Sequence, residues 1–121
     1  MSGVLVDTSV WVDHFKRHNS ALVHLLERDL VLTHPLVVGE IACGTPPNRQ
    51  QTLADLASLR QSQQATIEEA MMLMESRQLY GLGCGLIDML LVASALLTAD
   101  TKLWTLDKRL SGIADRVGVK L

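Results

Sequence analysis

The sequence predicts an α/β protein in which a short-stranded, mostly parallel sheet lies between two layers of helices. Three short apolar runs, at residues 4–6, 30–33 and 102–105, are separated by longer segments with helical spacing of apolar residues. Strands that alternate with helices are typical of a parallel sheet covered on both faces. The length of 121 residues suits one compact domain, so we expect residues 1–121 to fold as a single unit.

The first third of the chain predicts one strand and two helices. Residues 4–6 are β-branched or aliphatic and are followed by Asp-Thr-Ser, which favours a buried strand that ends at helix-capping residues. An amphipathic helix is expected over residues 10–15. Leucines at helical spacing then predict a second helix, capped by Asn19 or Ser20.

The middle of the chain predicts a second strand and three helices. Residues 30–33 resemble a short buried strand, and the proline that follows suits the first turn of a helix over residues 35–44. Apolar residues repeat at helical spacing over residues 49–60 and again over residues 66–80.

The last third begins with a glycine-rich loop at residues 81–85, which lacks the spacing of a phosphate-binding loop. Residues 86–97 are apolar on nearly every side, which predicts a buried helix. We expect a third strand over 102–105, a helix from about 107 to 114, and a last strand over 117–119.

Composition and charge exclude several classes of protein. There are 11 Lys and Arg residues and 13 Asp and Glu residues, a formal net charge of −2, which argues against a broad basic surface for duplex DNA. Cys43 and Cys84 are too few for a disulfide scaffold and lack metal-ligand spacing, so a reducing cytoplasm is expected. The longest apolar stretch contains Asp88 and is shorter than the roughly 18 residues of a membrane span.

Four acidic residues lie where carboxylates are costly. Asp7 and Asp107 follow predicted strands, at the sheet edge where parallel α/β proteins bind ligands. Asp88 lies in the most apolar segment, and Glu40 lies beside the apolar face of its helix. Each has an ordinary alternative: Asp7, Asp88 and Asp107 can cap helices, and Glu40 can pair with an arginine.

If the four carboxylates converge, they need a cation. Oxygen-only ligands favour Mg²⁺ or Mn²⁺ over zinc. Three hydroxyl residues near the predicted strand ends, Thr8, Ser9 and Thr105, can orient those carboxylates, although capping and strand propensity explain them equally well.

These residues together resemble the PIN-domain family, and more closely the VapC toxins of bacterial type II toxin–antitoxin modules. The resemblance rests on the Asp-Thr-Ser-Val-Trp segment at 7–11, His-Pro-Leu-Val-Val-Gly-Glu at 34–40, the apolar helix around Asp88, and Leu-Trp-Thr-Leu-Asp at 103–107. It spans essentially the whole chain, and the order and spacing of the acids make it specific.

The resemblance implies a PIN-like three-layer α/β/α fold and a Mg²⁺-dependent endoribonuclease that cuts structured RNA, such as tRNA or rRNA, and stops translation. It implies catalytic Asp7, Glu40, Asp88 and Asp107, with Asp7, Asp88 and Asp107 as metal ligands. A VapB-type antitoxin and a second copy of the chain are the expected partners. A PIN-like module that only binds RNA or a protein is the main alternative, although all four positions are acidic.

Basic residues near the acids give weaker predictions. Lys16, Arg17, Lys108 and Arg109 can contact RNA phosphates, or form an ordinary charged surface. A phosphoacceptor receiver domain is a poor fit, because Asp7 is not followed by a second acid and Lys102 opens a strand rather than ending one.

Overall fold

A computed structural model describes residues 2–121. Three parallel strands form the sheet in the order β2-β1-β3, with β1 (Gly3–Val6) between β2 (Val31–Leu32) and β3 (Thr101–Trp104). Every residue of β1 is buried, as expected for a central strand covered on both faces. The three carboxyl ends therefore lie along one edge of the sheet.

Helices cover both faces of this sheet. Parallel neighbours require right-handed crossovers, and the chain leaves β1 toward β2 and later crosses back to β3, so the two crossovers pass over opposite faces of the sheet. This architecture confirms the predicted three-layer α/β/α class. The helices among residues 2–121 are α1 (Thr8–Arg17), α2 (Ser20–Glu27), α3 (Pro35–Ala42), α4 (Arg49–Ala57), α5 (Ile67–Arg77), α6 (Leu86–Leu97) and α7 (Lys108–Arg116).

Most predicted elements agree with the structure to within a few residues at their ends. Helix α6 has the predicted bounds, but only its middle is buried, since the side chains of Leu86 and Leu97 at its two ends are exposed. Strand β3 ends at Trp104 rather than at Thr105. Thr105 thus lies beyond the strand, at the edge where ligands bind in such sheets. None of the helices in the described range is long and apolar enough to cross a lipid bilayer.

The predicted last strand over residues 117–119 is wrong. Helix α7 continues to Arg116, and Val117 follows Leu110 and Ile113 at the spacing of one buried helical face. A β-branched residue that looked like the start of a strand therefore completes the apolar face of a helix. The chain turns at Gly118, with φ of 80°, and makes only an isolated bridge between Lys120 and Leu103.

A buried polar bridge joins three segments of the chain between β2 and β3. The Nδ1 atom of His34 accepts a hydrogen bond from the Leu36 amide at 3.1 Å, so this nitrogen carries no proton. The His34 Nε2 atom then donates to the Ser94 Oγ atom at 3.1 Å. The same oxygen accepts from the Ala65 amide at 3.0 Å. One hydroxyl thus joins the start of α3 and the chain before α5 to the centre of α6.

Candidate active site

Asp7 lies directly after the central strand and its carboxylate is held by two hydroxyls. The side chains of Ser9 and Thr105 both donate to the Asp7 Oδ2 atom, at 2.8 Å and 2.7 Å. The Asp7 amide donates to the Trp104 carbonyl at 2.9 Å, which fixes the backbone at the end of β3 against the end of β1. Asp7 is only 6% exposed, so its carboxylate is both buried and oriented.

The two hydroxyls are themselves positioned by backbone donors. The Leu106 amide donates to Ser9 Oγ at 3.0 Å, and the Asp107 amide donates to Thr105 Oγ1 at 3.0 Å. Each hydroxyl has one proton, so the bond to Asp7 leaves none for the 3.2 Å contact between the two hydroxyl oxygens. Both residues therefore orient the carboxylate.

The helix-cap alternative does not describe the Asp7 side chain. Asp7 occupies the N-cap position of α1, but its side chain makes no capping hydrogen bond. The backbone amides of the helix meet only its carbonyl oxygen, which accepts from the Val10 amide at 3.1 Å and from the Trp11 amide at 3.5 Å. Among residues 2–121, the hydrogen bonds to its carboxylate reach only Oδ2, which leaves Oδ1 open.

Glu40 lies on α3 and turns its carboxylate toward α1. The Thr8 hydroxyl donates to Glu40 Oε1 at 2.8 Å. The side chain is exposed rather than set against the core, and the ion pairs found among residues 2–121 do not include it. The pKa of Glu40 is raised, chiefly because the surrounding protein removes part of its hydration; the charges of Asp7 and Asp88 add to this, and the Thr8 hydrogen bond opposes it.

Asp88 lies in the first turn of α6, where it is half-buried. Burial is the main cause that raises its pKa, and the charges of Asp7 and Asp107 raise it further. Hydrogen bonds with the Gly85 backbone and the Cys84 thiol lower it.

Asp107 also caps a helix. Its Oδ1 atom accepts from the amides of Arg109 at 2.8 Å and Leu110 at 3.1 Å, at the start of α7. The residue is exposed, and its charge still raises the pKa of Asp88. Asp107 therefore caps α7 and also acts electrostatically on Asp88.

The four acids form one electrostatic group at the carboxyl edge of the sheet. The charge of Asp7 acts on both Glu40 and Asp88, and Asp107 acts on Asp88. Carboxylates that repel one another are stabilised by a nearby cation, and an oxygen-only set suits Mg²⁺ or Mn²⁺. As the side chains lie, however, no three His, Cys, Asp or Glu groups within the described range are close enough to form a ready-made metal site.

Cys84 belongs to this group, although the sequence did not single it out. The pKa of its thiol is raised, first by burial and then by the charges of Asp88 and Asp107, while the positive charge of Arg109 lowers it. Cys84 precedes Asp88 by four residues, which is the only signal in the sequence that the two side chains meet.

A cleft of about 340 Å³ extends from Glu40 along α1. Lys16 lines this cleft, whereas Arg17 pairs with Asp13 at 3.3 Å on the helix surface. Of these two basic residues, Lys16 is therefore the one that faces the same opening as Glu40.

The chain matches known proteins over most of its length. The family model described as the PIN domain matches residues 4–116. Two curated relatives, both named Ribonuclease VapC32 and both from Mycobacterium tuberculosis (strains CDC 1551 / Oshkosh and ATCC 25618 / H37Rv), are each 41% identical over 118 residues. The alignment covers 98% of this chain and 95% of each relative. The predicted resemblance is thus confirmed, and the chain belongs to the PIN-domain family, in its VapC group.

Proposed function

We propose that this protein is a Mg²⁺- or Mn²⁺-dependent endoribonuclease toxin of the VapC type, which hydrolyses structured RNA such as tRNA or rRNA and thereby inhibits translation. The observation that carries the proposal is the buried Asp7 carboxylate, fixed by two hydroxyls, whose charge raises the pKa of both Glu40 and Asp88. The name Ribonuclease VapC32, carried by relatives 41% identical to this chain, supports the same reaction.

Three carboxylates are suited to hold the ion. Asp7 offers an oriented group with Oδ1 open, Asp88 is half-buried beside it, and Asp107 lies at the start of α7. When bound, a divalent ion lowers the pKa of water and neutralises charge on the phosphate oxygens. Ser9 and Thr105 hold the Asp7 carboxylate in a fixed direction, which limits the entropy lost when the ligand binds.

Glu40 is suited to accept a proton, and not only to supply a negative charge. Its raised pKa makes its carboxylate a better proton acceptor than an ordinary glutamate. Thr8 donates to Oε1, which leaves Oε2 without a hydrogen-bond donor from residues 2–121 of the protein and available to take the proton from an attacking water. No histidine or serine nucleophile is required for this hydrolysis.

The test is cleavage of purified total RNA with Mg²⁺, with and without EDTA. Asp7→Asn should lower the cleavage rate by about 100-fold or more, because several kcal/mol of charge stabilisation are lost. Asp115→Asn removes the same charge at the far end of α7 and should cleave like the wild type. Sequencing of the new RNA 5′ ends then identifies the target and the cut site. Chelator-resistant cleavage, or full activity of Asp7→Asn, would contradict the assignment.

The alternative is a PIN-like module that binds RNA or a protein without cutting. All four acidic positions are retained, which favours the enzyme. Binding of RNA by the wild-type protein with no Mg²⁺-dependent cleavage, under conditions in which the protein is folded, would favour the module instead.

We also propose a VapB-type antitoxin and a second copy of the chain as partners. Apolar side chains exposed on α5 and α6, among them Met72 at 71% and Leu97 at 48%, support a surface that a protein covers. Light scattering of the purified protein should give the mass of a dimer. Co-purification with a cognate VapB-type antitoxin should suppress RNA cleavage, and a monomer that no antitoxin inhibits would contradict both proposals.

A further inference from the structure

The side chain of Arg109 lies directly against the glycine-rich loop. A Cβ atom built on Gly83 would lie 2.8 Å from Arg109 Cδ, 3.1 Å from Nη1 and 3.2 Å from Nε. Gly83 also has φ of 87°, a conformation that other residues rarely adopt. A side chain at position 83 would therefore push the guanidinium away. Glycine at this position leaves the space in which the Arg109 side chain packs against the loop.

This contact places the positive charge of Arg109 near Cys84, whose thiol pKa it lowers, and Cys84 borders the acidic group. Arg109 follows Asp107 by two residues, and its amide donates to the Asp107 carboxylate at 2.8 Å. The loop on which its guanidinium rests continues through Cys84 into the first turn of α6, where Asp88 lies. Arg109 is thus held between the two elements that supply two of the four acids.

The guanidinium nevertheless has no partner within residues 2–121. The ion pairs there are Arg17–Asp13 and Arg60–Asp29, and no protein hydrogen bond from the Arg109 side chain is formed. Most other arginines use their side chains in the fold, since those of four residues donate to backbone carbonyls: Arg49, Arg60, Arg77 and Arg116. Arg109 is exposed, so its donors are open to a ligand.

We propose that Arg109, which packs against Gly83, binds a phosphate group of the RNA substrate beside the acidic group. This inference rests on the proposed ribonuclease function. Four carboxylates repel a polyanion, and a fixed guanidinium offsets that repulsion while it offers two parallel N–H donors to one phosphate. The role of Gly83 is to fix the position of this cation, which reduces the entropy lost on binding.

The first experiment compares RNA cleavage by Arg109→Ala and Arg28→Ala. Arg28 also lacks a side-chain partner in the described range, but it precedes β2 and so lies near the opposite edge of the sheet. Arg109→Ala should raise KM about tenfold or more, with a smaller change in kcat, and Arg28→Ala should change KM less than about twofold. Arg109→Lys should recover part of the affinity, since it restores the charge without the planar donor pair.

Salt dependence supplies a readout that a structural defect would not change. Loss of one phosphate contact should reduce the slope of log affinity against log salt by about 0.7 to 0.9 for Arg109→Ala. Arg28→Ala should keep the wild-type slope. Urea denaturation of each variant checks that the fold is intact.

The second experiment tests the contact between Gly83 and the Arg109 side chain. Gly83→Ala should raise KM in the wild-type background and have little further effect when combined with Arg109→Ala, since strain alone would act equally in both. If wild-type protein cleaves RNA while Arg109→Ala keeps its KM and salt slope, or Gly83→Ala costs the same in both backgrounds, this inference is wrong and the ribonuclease proposal stands. A wild-type protein that does not cleave RNA contradicts both.

Discussion

Thr105 donates a hydrogen bond to Asp7 at 2.7 Å, although 98 residues separate them in sequence. The bond forms because β1 and β3 are parallel neighbours, in register from Gly3 opposite Thr101 to Val6 opposite Trp104. The residue after each strand therefore reaches the same edge of the sheet. The direction of the Asp7 carboxylate is thus set by strand pairing together with Ser9 of its own helix.

Replacing Thr105 with valine tests this relationship. Thr105→Val keeps the shape and β-branching of the side chain but removes the donor to Asp7, so RNA cleavage and the affinity for Mg²⁺ should fall about 10- to 100-fold. The measurement is the cleavage rate over a Mg²⁺ titration. Thr101→Val makes the same change at the other end of β3, away from the acids, and should retain the wild-type rate. Equal activity of the two variants would show that the hydroxyl does not position Asp7.

Thr8 should set the pH at which activity is lost. Glu40 accepts protons only when ionised, and its raised pKa places the acid limb of the kcat/KM profile above the ordinary glutamate value of 4.5. The Thr8 hydroxyl lowers that pKa, so Thr8→Val should raise it and move the acid limb to higher pH. Thr45→Val, in the same cleft, is the control and should leave the profile in place. A limb that moves to lower pH, or does not move, would exclude Glu40 as the group that titrates.

The hydroxyl of Ser94 should contribute to folding rather than to catalysis. Ser94 is fully buried and accepts hydrogen bonds from His34 and from the Ala65 amide. Ser94→Ala leaves both donors without an acceptor and should lower the free energy of unfolding by about 1 to 3 kcal/mol. Ser76→Ala, on the exposed surface of α5, should change it by less than about 0.5 kcal/mol. Urea denaturation measures both, and similar values for the two would contradict the buried bridge.

His34 should make the fold sensitive to acid. Burial lowers its pKa from the ordinary value of 6.5, so the unfolded chain binds a proton more readily than the folded one. Stability is therefore complete above pH 6.5 and falls as the pH decreases toward the lowered pKa of the folded state. Protonation also places a hydrogen on Nδ1, where the Leu36 amide already donates.

The measurement is the free energy of unfolding in urea between pH 7.5 and 5. His34→Asn retains an N-cap acceptor but does not titrate, so it should be less stable overall and should lose this part of the pH dependence. His24→Asn, on the exposed face of α2, should keep the wild-type slope. A wild-type slope in His34→Asn would assign the acid sensitivity to other groups.

Local patterns in the sequence are sufficient for most of the helices and strands. The central strand, the bounds of α6 and the helix caps at Asn19 and Asp107 follow from residues a few positions apart, and the four acids with the motifs around them were sufficient to predict the family. The strand predicted over residues 117–119 was wrong because a valine at a helical position carries the same β-branched side chain as one in a strand.

The sequence alone determined which acidic residues are candidates for the site, because a carboxylate after a strand or within an apolar helix is chemically conspicuous wherever the chain folds. Only the tertiary structure decided how they are held: Thr105 on Asp7, Thr8 on Glu40, and Arg109 on Gly83. These contacts depend on strand register and on the close approach of elements far apart in sequence, and such distances leave no periodicity in the chain.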